Sequence, residues 1–195
     1  MGEGERGDHD VGPIVGSRRL PRSFFARDAV VVAPELLNKV LVVGPCTGRI
    51  VEVEAYRSDE PAAHSFRGPT PRTAVMFGPA GHLYVYFSYG MHHCANLVTG
   101  ADGDGQAVLL RAVVPLAGIE LMTRRRSGRR QLADGPGKLC QAFGLDLGHT
   151  GVDVCGGGEV HVHDDGTPPP EVPLTTPRVG ITKAVELPWR FLVPT

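Results

Sequence analysis

The chain lacks an excess of charge of either sign. Its 20 lysines and arginines stand against 21 aspartates and glutamates, a formal net charge of −1 over 195 residues. Bulk charge therefore gives no support to a nucleic-acid partner, and any such reading must rest on local concentrations of charge and on motifs. Cysteine is sparse. Cys46, Cys94, Cys140 and Cys155 are far apart and form no CxxC pair, which disfavours zinc ribbons and thioredoxin-type redox pairs. Buried, reduced thiols are expected instead. No apolar stretch reaches 18 residues, so no transmembrane helix is expected. The opening Met1-Gly2-Glu3-Gly4-Glu5-Arg6-Gly7-Asp8 has no apolar h-region, and the reading is a cytoplasmic protein, not a secreted one. The G-x-G-x-x-G, P-loop and G-x-S-x-G patterns are missing, as are HExxH and Cys/His ligand spacings. No cofactor and no metal are expected.

What is present is enough apolar material, 42% of the chain, for one domain with a sizeable core. Glycine (26) and proline (17) are scattered without a Gly-X-Y period, which excludes collagen and predicts many turns. Residues 1–17 are glycine-rich and charged and read as a disordered tail, leaving residues 18–195 as the domain. Lys39–Val43 and Arg49–Tyr56 read as a hairpin across Gly44–Gly48, and His82–Tyr89, His93–Val98 and Gln106–Val114 as further strands. Between them Arg57–Gly81 is a long ordered loop, a kind of segment that often carries function. Helices are predicted from Ala33-Pro34 to Leu37, with proline in the first turn, from Leu116 to about Arg126, and from Lys138 to Phe143. Ile119 and Met122 are expected to share a face of the second. The tail, Glu159–Pro194, reads as short strands split by prolines. The fold class is α+β: a single mixed domain with a curved, mostly antiparallel sheet and short helices.

Five groups of residues could carry chemistry. On the strand Arg49–Tyr56, alternation puts Glu52, Glu54 and Tyr56 on one face and Val51, Val53 and Ala55 on the other. Paired carboxylates can divide acid and base roles, although a solvated outer face is the ordinary reading of such alternation. Tyr84 and Tyr86 share a face that could stack a planar ligand or simply pack a core. Tyr89-Gly90-Met91 sits at the hairpin tip, where apolar side chains have no core to fill and can act as a wedge between bases. Arg111 lies within an apolar strand, where a guanidinium is expected to pair with a carboxylate. The run Arg124–Arg126 with Arg129-Arg130 is the one concentrated positive patch. It is either a solubilising helix end or a phosphate grip.

Several blocks occur together in one order: Arg49-Ile-Val-Glu-Val-Glu-Ala-Tyr56, Ala62-Ala63-His64-Ser65, Met76-Phe77-Gly78-Pro79, Leu83-Tyr-Val-Tyr-Phe-Ser-Tyr-Gly-Met-His-His-Cys-Ala-Asn96, Val108-Leu-Leu-Arg-Ala112 and Gly135-Pro-Gly-Lys-Leu-Cys-Gln141. Over roughly Phe24–Phe191 the chain resembles the alkyladenine (3-methyladenine, N-methylpurine) DNA glycosylases. The resemblance implies a monofunctional enzyme that flips a damaged purine out of duplex DNA, hydrolyses its N-glycosidic bond and leaves an abasic site. The damaged purines would be 3-methyladenine, 7-methylguanine, hypoxanthine and ethenoadenine. It implies Glu54 as the carboxylate that activates water and Arg111 as the group that helps position that water. Tyr56, Tyr86 and His64 would wall the flipped base, with Ala62 beside it and Asn96 at the base edge discouraging normal guanine. Tyr89, with Met91 at the same tip, would enter the helix where the base was. Thr70, Arg72, Met76 and Lys138 would lie near the DNA backbone or groove. The partner is double-stranded DNA, met as a monomer and with no membrane.

The physics suits those roles. Departure of a purine develops oxocarbenium charge on the sugar, which a carboxylate beside it stabilises while taking the water's proton. A methylated purine is cationic, and aromatic faces favour it. A near-neutral chain that binds DNA must gather its positive charge on a narrow face. Two other readings stand beside this one. A hydrolase acting on free nucleosides or RNA would not require the Tyr89-Gly90-Met91 tip. A silent binder of distorted DNA would not require Glu54 with Arg111, whose joint burial is costly.

Overall fold

Alternating apolar residues make the strands, and the computed structural model, which describes residues 18–194, joins them into one curled half-barrel. The expected disordered tail over residues 1–17 lies outside the described residues. In chain order the elements are β1 (Arg18–Arg19), α1 (Arg22–Phe25), α2 (Ala29–Leu36), β2 (Val40–Val43), β3 (Cys46–Tyr56), β4 (Leu83–Ser88), β5 (His92–Thr99), β6 (Gln106–Ala117), α3 (Ile119–Arg125), α4 (Pro136–Phe143), β7 (Val160–Asp164), β8 (Leu174–Thr176) and β9 (Arg190–Leu192). The sheet runs β1-β7-β2-β3-β6-β5-β4, with β9 pairing β3 and β8. Its strand pairings are antiparallel. The fold is the expected α+β domain.

Side-chain alternation splits the sheet into two faces. Val53, Ala55, Val85, Leu97, Val108 and Leu110 point to one side, where α2 and α4 cover them in a continuous core. Tyr84, Val98 and Ala107 point to the other and pack with Met76 beneath the loop after β3. The functional side chains lie on this second face. Along one edge of β3, residues 46–49 pair with β2 and residues 52–54 with β9. The C-terminal strand thus lies against the carboxylate stretch of β3.

Two predicted helices differ from the structure. The first begins at Ala29 and keeps Pro34 inside it. Asp28 caps it, accepting from the Val30 N–H at 2.8 Å, and a proline near the far end removes one backbone bond while the buried face of α2 still packs. Leu116 belongs to β6, which runs on to Ala117. Gly118 ends that strand at φ +73°, where a Cβ would lie 2.6 Å from the Pro45 carbonyl oxygen. The helix beyond it buries Met122 but leaves Ile119 48% exposed, so the two do not share a buried face. The four cysteines are free thiols, three of them buried. No helix among the described residues is long and apolar enough to cross a membrane.

Candidate active site

A pair of register shifts builds the centre of the site. Along β3 and β6, Ile50 faces Val113, Glu52 faces Ala112 and Val53 faces Leu110. Val51 and Arg111 are therefore the unpaired residues of two adjacent bulges. Such irregularities re-aim side chains. Here they let Ile50 and Val53 both enter the core, and they turn Arg111 onto the face that carries Glu52 and Glu54. Val51 is consequently no core residue, contrary to simple alternation.

Glu54 is 0% exposed. Its Oε2 accepts from the Tyr56 hydroxyl at 2.8 Å. Its Oε1 accepts from the Val179 N–H at 2.8 Å and lies 3.2 Å from Arg111 Nη1. Arg111 also donates through Nε to Glu52 Oε1 at 2.6 Å, and Arg190 donates to the same oxygen at 2.7 Å. The carboxylate pair is thus no solvated face: two arginines and a backbone amide neutralise it. Burial pushes the Glu52 carboxyl up, but the bonds from Arg190 and Arg111 outweigh burial and hold it below the usual range. Burial would lower the Arg111 pKa, yet Glu54 and Glu52 raise it, so it stays a cation. Burial first, and then the Glu54 charge, raise the Tyr56 hydroxyl, which remains a protonated donor. A carboxylate offers about four acceptor sites. Two accept hydrogen bonds, from Tyr56 and from Val179, Arg111 flanks Oε1 as an ion pair, and Oε2 keeps a second lone pair beside Tyr56.

Above this centre opens a cavity of about 590 Å³, lined among others by Tyr56, Ala62, His64, Arg72, Tyr86, Asn96 and Arg111. Glu54 lies beneath its lining, covered by Tyr56, Arg111 and Val179. The walls are aromatic. The Tyr84 and Tyr86 rings stack at 5.6 Å, His64 meets Tyr86 edge-on at 4.5 Å, and His64 Nδ1 is 3.1 Å from the Tyr84 hydroxyl. His64 keeps an exposed edge, but desolvation against these rings, and then the Arg72 cation, move its imidazole pKa below the ordinary value. Burial raises the Tyr86 hydroxyl. The volume and the aromatic walls, with His64, Arg72, Asn96 and Arg111 among the polar groups beside them, suit a planar ligand that carries hydrogen-bonding edges.

Tyr56 is backed by a buried ion pair. Arg178 stacks over its ring at 4.5 Å and bonds Glu60 through both Nη atoms, at 2.6 and 3.0 Å. Its side chain is 0% exposed and that of Glu60 6%. The neighbouring residue, Val179, supplies the N–H to Glu54. Arg178, Glu60, Val179 and Arg190 were not singled out in the sequence. They lie in the proline-rich loop and tail, and no spacing connects them to β3.

Tyr89 sits at the hairpin tip, 81% exposed, with Met91 beside it at 68%. Tyr89 and Gly90 both have positive φ, +50° and +65°, in the three-residue loop between Ser88 and His92 that the Met91 N–H closes onto the Ser88 carbonyl. Asparagine or glycine ordinarily takes that place. An aromatic held there is strained, and strain of this kind points to function. The remaining expected residues divide. Ala62, Arg72 and Asn96 reach the cavity, with Arg72 5.5 Å from the Tyr86 ring centroid and Asn96 donating to the Tyr84 carbonyl at 3.0 Å. Met76 is buried in the cavity wall. Thr70 lies on the exposed loop, bonded to Thr73 at 2.9 Å. Lys138 lies on α4, 3.0 Å from Asp134. No cluster of three His, Cys, Asp or Glu fit to hold a metal occurs among the described residues.

A sequence model of methylpurine-DNA glycosylases matches residues 23–195. A relative from Burkholderia lata is 52% identical over 181 residues, covering 90% of this chain and 87% of its own length. One from Methanoculleus marisnigri is 51% identical over 180 residues, covering 88% and 93%. One from Carboxydothermus hydrogenoformans is 46% identical over 178 residues, with the same coverage. All three are provisionally named 3-methyladenine DNA glycosylases.

Proposed function

The chain belongs to the methylpurine-DNA glycosylase family, and from that premise we propose that this DNA glycosylase flips alkylated or deaminated purines out of duplex DNA and hydrolyses their N-glycosidic bond with water activated by Glu54. The observation that carries the reading is the wholly buried Glu54 carboxylate beneath an aromatic cavity, paired with Arg111 and with a second lone pair left on Oε2. A water admitted past the covering Tyr56 bonds Oε2, gives its proton to Glu54 and attacks the anomeric carbon as the purine leaves with the electron pair of the N-glycosidic bond. Arg111 holds Oε1, so the carboxylate cannot turn away. The carboxylate charge also stabilises the oxocarbenium ion that develops on the sugar.

Binding and extrusion fall to the other residues. Tyr56, Tyr86 and His64 wall the flipped base, which favours electron-poor methylated purines through the ring faces. Asn96 sits where it meets the base edge. Tyr89 fills the gap left in the helix and offsets part of the few kcal/mol that unstacking costs. 3-Methyladenine, 7-methylguanine, hypoxanthine and ethenoadenine are the substrates proposed. No lysine serves as a nucleophile in this scheme, so the product is an abasic site with an intact strand.

The test is alkali-revealed cleavage of end-labelled duplexes that hold one hypoxanthine or one ethenoadenine, and purine release from alkylated DNA. Wild type should give product only after alkali, and Glu54→Gln none. Activity on free nucleosides equal to that on duplex would favour a nucleoside hydrolase. No release from any substrate would leave a binder of distorted DNA.

A further inference from the structure

The catalytic scheme leaves the arginine-rich turn after α3 unused. Residues 121–133 contain five arginines and no acidic residue, in a chain whose net charge is −1. Two of the five are structural. Arg125 bonds the Ala142 carbonyl at 3.1 Å and Cys46 Sγ at 3.5 Å. Arg126 is buried and bonds Gln141 and the Gln131 carbonyl. Arg124, Arg129 and Arg130 are exposed, and no carboxylate among the described residues pairs with them.

The turn is built to hold its shape. Ser127 and Gly128 take positive φ, +54° and +76°. The N–H groups of Ser127, Gly128 and Arg129 bond back to Arg124, Thr123 and Arg126. Its far end is pinned to the sheet by the Val113 N–H to the Ala133 carbonyl at 3.0 Å. Long cations that carry no internal partner, displayed on a pinned turn, lose less entropy on binding than cations on a free loop.

Its position links it to the hairpin. A Cβ on Gly137 would lie 2.8 Å from His92 Cβ, so the start of α4 packs against the hairpin that carries Tyr89. The next residue, Lys138, bonds Gln131 Oε1 at 3.1 Å, and Gln131 follows Arg130 directly. The arginine turn and the wedge hairpin are thus joined through the start of α4.

We propose that Arg129 and Arg130 grip the phosphate backbone of the duplex flanking the lesion, a contact separate from the base cavity. The proposal rests on the glycosylase reading for its partner. It accounts for how a chain of near-neutral net charge holds a polyanion: positive charge is gathered and left unneutralised on one turn. Duplex DNA is favoured over an acidic protein because the turn is joined to the wedge hairpin through the start of α4.

The test compares wild type, Arg129→Ala/Arg130→Ala and Arg129→Lys/Arg130→Lys on undamaged duplex across a salt titration. The alanine pair should lower the slope of log affinity against log salt by about 2, near 0.9 per phosphate contact, with at least tenfold weaker binding at moderate salt. The lysine pair should keep the slope. Single-turnover excision of hypoxanthine at saturating enzyme should be equal in all three. Trimming one flank to about two base pairs from the lesion should weaken wild type but not the alanine pair. An unchanged slope while wild type excises hypoxanthine overturns the grip and leaves the glycosylase reading standing. An unchanged slope with lost binding to polyglutamate assigns the turn to an acidic protein partner and overturns it too. Absence of both excision and salt-dependent DNA binding in wild type defeats both readings.

Discussion

The Val179 N–H donates to Oε1 of Glu54 at 2.8 Å, across 125 positions of chain. The C-terminal segment therefore helps set the carboxylate that β3 presents, and the site is complete only when both ends of the fold are in place. Glu54→Gln should preserve this arrangement. Its amide oxygen can accept from Val179 and Arg111, and its NH2 can donate to a Tyr56 hydroxyl that turns to accept. The protein should fold and bind lesion-bearing duplex as before, while the amide cannot take a proton. We expect single-turnover excision to fall by two to four orders of magnitude. Retained turnover in a quenched-flow assay would remove Glu54 from the base role.

Tyr56→Phe separates the hydroxyl from the ring. The ring still walls the cavity, but Oε2 loses its one protein donor. Hydrogen bonds to a charged group contribute about 1.5–3 kcal/mol, so the melting temperature should fall by several degrees, and excision by roughly tenfold or more through a misplaced carboxylate. Affinity for the flipped base, read from fluorescence of ethenoadenine in duplex, should hardly change. A variant that melts and turns over like wild type would show that Glu54 does not depend on this bond.

Much of this arrangement was legible in residue order. The alternation through Glu52, Glu54 and Tyr56 put three functional side chains on one face, and Arg111 within an apolar strand announced a carboxylate partner. Local pattern could not show the bulges, because a register shift belongs to two strands at once. It also could not show that Glu54 is buried: the cover comes from Val179, more than a hundred residues on. Pro34 misled for a related reason. Its preference for a first turn was overridden by the Asp28 cap and by packing of α2 on the sheet.

The Arg178–Glu60 pair should reveal itself as a structural support of Tyr56. Breaking a buried pair on one side leaves an uncompensated charge, at a cost of about 3–5 kcal/mol. Glu60→Leu and Arg178→Met should each lower the melting temperature sharply and slow excision. Replacing both, with Glu60→Leu beside Arg178→Met, should recover much of the stability. The Arg178 cation is also lost from behind Tyr56, so excision should recover less than stability. Equal recovery of the two in a double-mutant cycle would confine the pair to folding.

The pKa of His64 lies below its ordinary 6.5, through desolvation and then Arg72. The unfolded chain therefore takes up this proton at a higher pH than the folded one. Stability from the neutral ring is fully present above 6.5 and is lost as pH falls from there through the lowered value. The effect is small because the ring keeps an exposed edge. Wild type should lose slightly more melting temperature between pH 7.5 and 5.5 than His64→Gln. His161 and His163 are shifted in the same direction but remain in both proteins, so the difference reports His64. Identical losses would mean that His64 titrates alike in the folded and unfolded chain.

Tyr89 is the side chain whose position is hardest to explain by folding. It is 81% exposed and adopts a backbone conformation that costs an aromatic residue energy. Its hydroxyl donates to the Gly180 carbonyl over a long 3.3 Å. Tyr89→Gly should therefore raise stability slightly by relieving the turn, whereas a residue that served packing would lower it. If the ring replaces the extruded base, the same variant should lose about tenfold or more in excision from duplex at subsaturating enzyme, since the ring offsets part of the few kcal/mol that flipping costs. The loss should shrink when the lesion sits opposite a gap, where the partner base no longer holds it in the stack. A variant that excises from intact and gapped duplexes at the wild-type ratio would assign the strained tip to something other than a wedge.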